Sequence, residues 1–169
     1  LNITGNDVKI SGTYYINGNV TIGAENQTTN IKSNAILYVD GDVEIRFSKL
    51  TGINENSSLI IFATGEIFIS NISENKDSPS EIKGFFYSQK DMTIYGVGSN
   101  IKIIGGLSAK NIFLTALRGK HLNAATSVDQ QPSKTSRLQV IYDENIINQY
   151  TQFKRDQEVE LIKQINDPK

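Results

Sequence analysis

Three acids that alternate around one glycine, Asp40, Asp42 and Glu44, have the spacing in this chain best suited to acid–base chemistry. Alternation along a single extended strand would place all three side chains on one outward face. Carboxyl pairs about 5 to 9 Å apart can cleave glycosides, one protonating the leaving oxygen while the other attacks or activates water. The neighbouring segment offers Asn17, Asn19 and Thr21 at the matching places rather than further acids. Turn aspartates and an outward glutamate are also what a soluble surface requires. Asp40 and Asp42 supply oxygen ligands at short spacing, but the acidic density of a calcium loop is missing. The solvent-facing reading is preferred, so no catalytic, cofactor-binding or metal-ligating residue is expected.

The remaining chemistry-bearing residues are sparser. His121 is the single histidine and follows Lys120 in a polar stretch. Without a second ligand at suitable spacing it reads as an exposed loop residue. Arg118, Lys120 and His121 together could hold an anion, although three basic loop residues are commonly just solvated. Tyr14, Tyr15, Tyr38, Phe47, Phe68, Tyr87 and Tyr95 could form an aromatic strip for stacking on carbohydrate. Most are read as core or stack residues, because a register error of one position would invert each assignment. Asn-x-Ser/Thr triplets begin at Asn2, Asn19, Asn26, Asn56 and Asn71, and in so Asn- and Thr-rich a chain they are attributed to composition.

Composition narrows the function classes. The chain has 169 residues, a net charge of −1 and no Cys. That length suits one domain able to bury roughly two-thirds of its unfolded surface. Scattered charges of both signs argue against nucleic-acid binding, which needs a concentrated basic face. Absence of Cys rules out disulfides, thiolate catalysis and thiolate-bound zinc. No apolar run reaches the roughly 20 residues that span a bilayer. The chain opens at Leu1 without an initiator Met, and strand-like pattern begins within ten residues. The expectation is a processed or excised piece, with a leader or anchor upstream.

The elements that position these residues follow from a repeat. Gly18-Asn19-Val20-Thr21-Ile22, Gly41-Asp42-Val43-Glu44-Ile45 and Gly65-Glu66-Ile67-Phe68-Ile69 share one phrase, their glycines 23 and 24 positions apart. Lys90-Asp91-Met92-Thr93-Ile94 and Lys110-Asn111-Ile112-Phe113-Leu114 keep the rhythm with lysine in place of glycine. Apolar residues within each phrase recur with period two, the mark of a strand. Repeats of this length build stacked, quasi-one-dimensional folds. Stacking predicts two inward columns: Val20, Val43, Ile67, Met92 and Ile112 in one, and Ile22, Ile45, Ile69, Ile94 and Leu114 in the other. Asn17-Gly18 and Asp40-Gly41 read as corners at which glycine accepts positive φ.

The fold class expected is all-β: a single-domain parallel β-helix, or solenoid, of about five rungs, with a C-terminal strand and capping helix. Residues 25–34, 48–58 and 71–81 are polar insertions suited to outer loops or extra strands. The solenoid domain is placed at 1–142, with a loop excursion at 116–136. Arg137 to Tyr142 reads as a last strand. From Asp143 the spacing turns helical through Ile146, Tyr150 and Phe153, so 143–169 is read as a capping helix or tail. Such a cap would cover the apolar end of the solenoid.

Val39-Asp40-Gly41-Asp42-Val43-Glu44-Ile45, Gly84-Phe85-Phe86-Tyr87-Ser88 and Gly105-Gly106-Leu107-Ser108-Ala109-Lys110-Asn111-Ile112 resemble the coil repeats of PilX-type proteins encoded with bacterial type IV pilus systems. Arg137-Leu138-Gln139-Val140-Ile141-Tyr142-Asp143 is similar to the strand that closes those domains. Bactofilin-like polymer-forming proteins share the Gly-Asp-hydrophobic-polar-hydrophobic rhythm. The resemblance covers about residues 5–145. It implies an extracytoplasmic solenoid at the cell surface or on a pilus, non-enzymatic, structural or adhesive. Its partners would be pilus or cell-surface proteins or surface glycans, and it would meet a membrane only through a segment outside this chain. The alternatives are a carbohydrate-binding or polysaccharide-cleaving β-helix and a polymer-forming scaffold.

Overall fold

The structure is a computed structural model and describes residues 1–25, 27–70, 79–96, 100–116, 138–146 and 148–150. It is a parallel β-solenoid in which the chain passes alternately between two sheets. The first holds six strands in the order β1 (Asn2–Ile3), β3 (Val20–Ile22), β5 (Val43–Arg46), β8 (Ile67–Ser70), β10 (Asp91–Tyr95) and β12 (Asn111–Thr115). The second holds β2 (Val8–Asn17), β4 (Thr29–Asp40), β6 (Ser48–Gly52), β7 (Leu59–Ala63), β9 (Ser80–Ser88), β11 (Ile101–Ser108) and β13 (Leu138–Tyr142). The short β6 and β7 together span the place of one strand, both pairing with β4 and β9.

The five repeated phrases become β3, β5, β8, β10 and β12, in the register their spacing predicts. Val20 pairs with Val43, Val43 with Ile67, Ile67 with Met92 and Met92 with Ile112. Ile22, Ile45, Ile69, Ile94 and Leu114 align the same way, and Ile3 precedes them through Ile22. Across the interior the second sheet supplies its own columns. Val8, Ile31, Leu50, Ile82, Ile103 and Val140 form one; Tyr14, Leu37, Ile61, Phe86 and Leu107 form another. The core lies between these facing columns. At about 25 cal/mol per Å² of apolar surface removed from water, such columns are the main favourable term.

Two local expectations change. The segment 25–34 is only partly an insertion, since β4 starts at Thr29. Thr29, Ile31 and Ser33 are all buried and alternate with Asn30, Lys32 and Asn34. Small hydroxyl residues fill inward positions there, so composition masks the strand. The corner glycines also differ from one another. Gly18 has φ +106°, as its turn requires, whereas Gly41 does not adopt a left-handed φ. A β-carbon on Gly41 would fall 2.7 Å from Asn19 Oδ1 and 2.8 Å from the Gly18 carbonyl oxygen. Gly41 is required by the close approach of successive corners.

Candidate functional site

The three candidate acids do not share one face, because the chain turns between the sheets at 41–42. Asp40 ends β4, Asp42 lies in the corner and Glu44 points out from β5 beside Arg46, at 3.3 Å. Two of the acids bridge coils. Asp42 Oδ1 accepts the Glu66 backbone N–H at 2.8 Å, just as Asn19 Oδ1 accepts that of Asp42 at 2.9 Å. Asp40 Oδ1 accepts the Thr64 hydroxyl at 2.8 Å. Asn19 and Asp42 thus act as equivalent rungs of one corner ladder, which explains why an amide and a carboxylate interchange there. Among the described residues no group of three or more acids or histidines could hold a metal ion. Arg118, Lys120 and His121 lie outside the described residues.

The aromatic candidates divide between faces. Tyr15 and Tyr38 stack at 4.9 Å, and Tyr38 stacks on Phe62 at 5.3 Å. Tyr87 tilts against Phe62 at 5.9 Å. These four occupy one outward column of the second sheet. Tyr14 belongs to the inward column of Leu37, Phe68 lies on the first sheet, and Phe47 occupies a corner with φ +47°. Tyr95 ends β10 on the first sheet. Of the seven aromatics, Tyr15, Tyr38 and Tyr87 thus share one ladder with Phe62, and Tyr14, Phe47, Phe68 and Tyr95 lie elsewhere. Phe62 was hidden because it ends the continuous apolar run Leu59–Phe62; its place 24 residues after Tyr38 is the signal that reveals it.

Along this ladder runs a groove of about 360 Å³, lined by Tyr15, Tyr38, Phe62 and Tyr87, with Asn17, Asp40, Thr64 and Gln89 along its other side. The polar row recurs because each coil ends its strand at the same corner. The only carboxylate among these residues is Asp40, already bonded to Thr64. The arrangement can stack on and hydrogen-bond a ligand but presents no acid–base pair.

The described helical residues, 145–146 and 148–150, cross the outer face of the second sheet rather than the end of the coil. The rest of the expected capping segment lies outside the described residues. Ile146 packs with Ile36 and Ile60, and Tyr150 meets Phe62 at 5.3 Å. Gln149, buried, accepts the Ser58 hydroxyl at 2.7 Å and donates to Asn34 Oδ1 at 3.0 Å. This outward face is apolar at Ile36, Ile60 and Phe85, so it needs a cover that the end of the coil does not supply.

Burial, together with a hydrogen bond to Tyr150, pushes the Tyr38 hydroxyl from 10.0 up to about 12. The folded state holds Tyr38 neutral where the unfolded chain would ionise it. Its contribution is complete below pH 10 and is lost as pH rises from 10 toward 12. Thermal melts at pH 9 and pH 11.5 are expected to show a smaller alkaline loss for Tyr38→Phe than for the natural chain. Equal losses would remove Tyr38 from the explanation.

Among the described residues no helix is long and apolar enough to cross a membrane. No protein-family model matches the chain, and neither the curated proteins nor the solved structures contain a significant match to it.

Proposed function

We propose that this chain is a non-enzymatic structural and adhesive domain, a stiff rod displayed outside the cytoplasm by a type IV pilus-associated surface protein. The observation that carries this reading is the use of the candidate acids: Asp40 and Asp42 join successive coils instead of facing one another across a cleft. The repeated Gly-Asp phrase then serves stacking, and stacking gives length and stiffness at low sequence complexity. The PilX-type likeness of the same phrases supports the extracytoplasmic placement, with pilus or surface proteins as partners.

Replacing the corner acid tests the reading. Asp42→Ala leaves the Glu66 N–H without its partner and is expected to lower stability by about 1 kcal/mol, with Asp42→Asn recovering most of it. Neither the natural chain nor the variants should release reducing ends from polysaccharides. Cleavage by the natural chain, lost in a fully stable Asp42→Asn, would instead establish an enzyme.

Carbohydrate binding is a second reading, favoured by the aromatic groove. Titration calorimetry with linear oligosaccharides should then show binding weakened by Tyr15→Ala, the most exposed ring of the ladder at 77%.

A further inference from the structure

We infer that Tyr150 positions the aromatic wall of the groove, so that the seating of the helical residues on the second sheet and the shape of the groove form one equilibrium. Its consequence for ligand binding rests on the carbohydrate reading, whereas its consequence for the rings does not. The ladder separates two hollows. On one side runs the groove with its polar row; on the other a cavity of about 260 Å³ lies beneath the helical residues, lined by Ile60, Phe62, Phe85, Tyr87, Ile146 and Tyr150. Phe62 and Tyr87 line both. A ring bordered by open space on two sides loses packing partners there, so its plane depends on the contacts that remain.

Those contacts lead to the helical residues. Tyr15, Tyr38 and Phe62 are close to parallel, with 10° and 13° between successive planes, and Tyr150 meets Phe62 at 55°, a tilted edge-to-face contact. Parallel, in-register strands repeat a ring orientation from coil to coil, so the plane taken by Phe62 carries to Tyr38 and Tyr15. Tyr87, at 51° to Phe62, stands outside the parallel set. Tyr150 also shares a hydrogen bond with Tyr38, so it holds two of the three parallel rings, one through its own ring and one through its hydroxyl. Tyr150 is itself placed by its neighbours. Ile146 packs on Ile36 and Ile60, and the buried Gln149 bonds Ser58 and Asn34, which fixes one seating where an apolar stripe alone could slide. A ligand that needs the rings parallel therefore favours the seated helix, and seating favours the ligand by the same factor.

Nuclear magnetic resonance of the chain labelled with carbon-13 at the tyrosine Cζ atoms tests this, since the seven tyrosines give one signal each. In Tyr150→Phe the Tyr38 signal should titrate below about 12 yet above 10.0, because the hydrogen bond is lost while burial stays. Tyr150→Ala should bring it lower still. The Tyr15 signal, whose ring partner is Tyr38, should move in both variants, whereas that of Tyr95 on the first sheet should not. Calorimetric binding of cellohexaose should weaken about three- to tenfold in Tyr150→Phe, the cost of leaving a ring for the ligand to order. A Tyr38 midpoint unchanged in Tyr150→Phe, or a Tyr15 signal unmoved in Tyr150→Ala, would overturn the positioning role. Cellohexaose bound equally well by the natural chain and both variants would overturn it too. If the natural chain binds no oligosaccharide while the Tyr38 and Tyr15 signals move as stated, the carbohydrate reading fails and the positioning of the rings stands.

Discussion

Gly23→Ala is expected to lower stability by about 4 kcal/mol, enough to move the melting temperature by roughly 10 °C in a chain of this length. Gly23 follows β3 at φ +98°, a region that costs an L-residue about 1 to 2 kcal/mol. Space is the larger obstacle. A β-carbon there would lie 1.7 Å from the Arg46 carbonyl oxygen and 2.6 Å from Ser48 Oγ, so the backbone of the next coil must move. Gly18→Ala is the informative control. Its φ is similarly positive at +106°, but an added β-carbon meets nothing within 4 Å, so only the conformational cost of about 1 kcal/mol is expected. Calorimetric melts of the two variants separate the terms, and equal losses would show that crowding at the corner is absent.

Ile45→Asp is expected to abolish the fold at 25 °C, and Ile45→Ala to cost about 3 to 4 kcal/mol. Ile45 has no exposed surface and lies between Ile22 and Ile69 in the column of the first sheet. Truncation removes apolar burial and leaves a cavity that a regular stack cannot collapse into without shifting whole coils. A carboxyl group at the same place meets only aliphatic neighbours above and below, and burying it unpaired costs several kcal/mol. The adjacent residue behaves oppositely. Glu44→Ala removes a half-exposed ion pair to Arg46 and should change stability by less than about 1 kcal/mol. Urea denaturation of the three variants reads the contrast, and a folded Ile45→Asp with a normal midpoint would mean the column is not a load on stability.

The contrast between residues 44 and 45 was legible in the sequence, because period-two alternation within a phrase and a fixed step between phrases together define which residues stack. Parallel, in-register pairing puts like residue over like, so a one-dimensional repeat carries the two-dimensional arrangement of the first sheet. The second sheet was harder to read. Its strands are apolar on both faces at Ile36–Leu37 and Ile60–Ile61, which erases alternation. Inward Thr29 and Ser33 look polar enough for a loop. The candidate acids were misplaced for a related reason: alternation was extended through a corner, although a turn at Gly41 sends the chain from one sheet to the other.

The sequence by itself determined the solenoid, the inner columns of its first sheet and the corner positions, all consequences of local period and repeat length. Only the tertiary structure decided where the helical residues dock, which aromatics form the ladder and which glycines are crowded. Gln149 reaches Ser58 and Asn34, 91 and 115 positions away in the chain. Contacts of that separation recur with no period, and the Gly23 crowding arises from a carbonyl in the next coil. Such features depend on distances between coils, which fix themselves only when the coils stack.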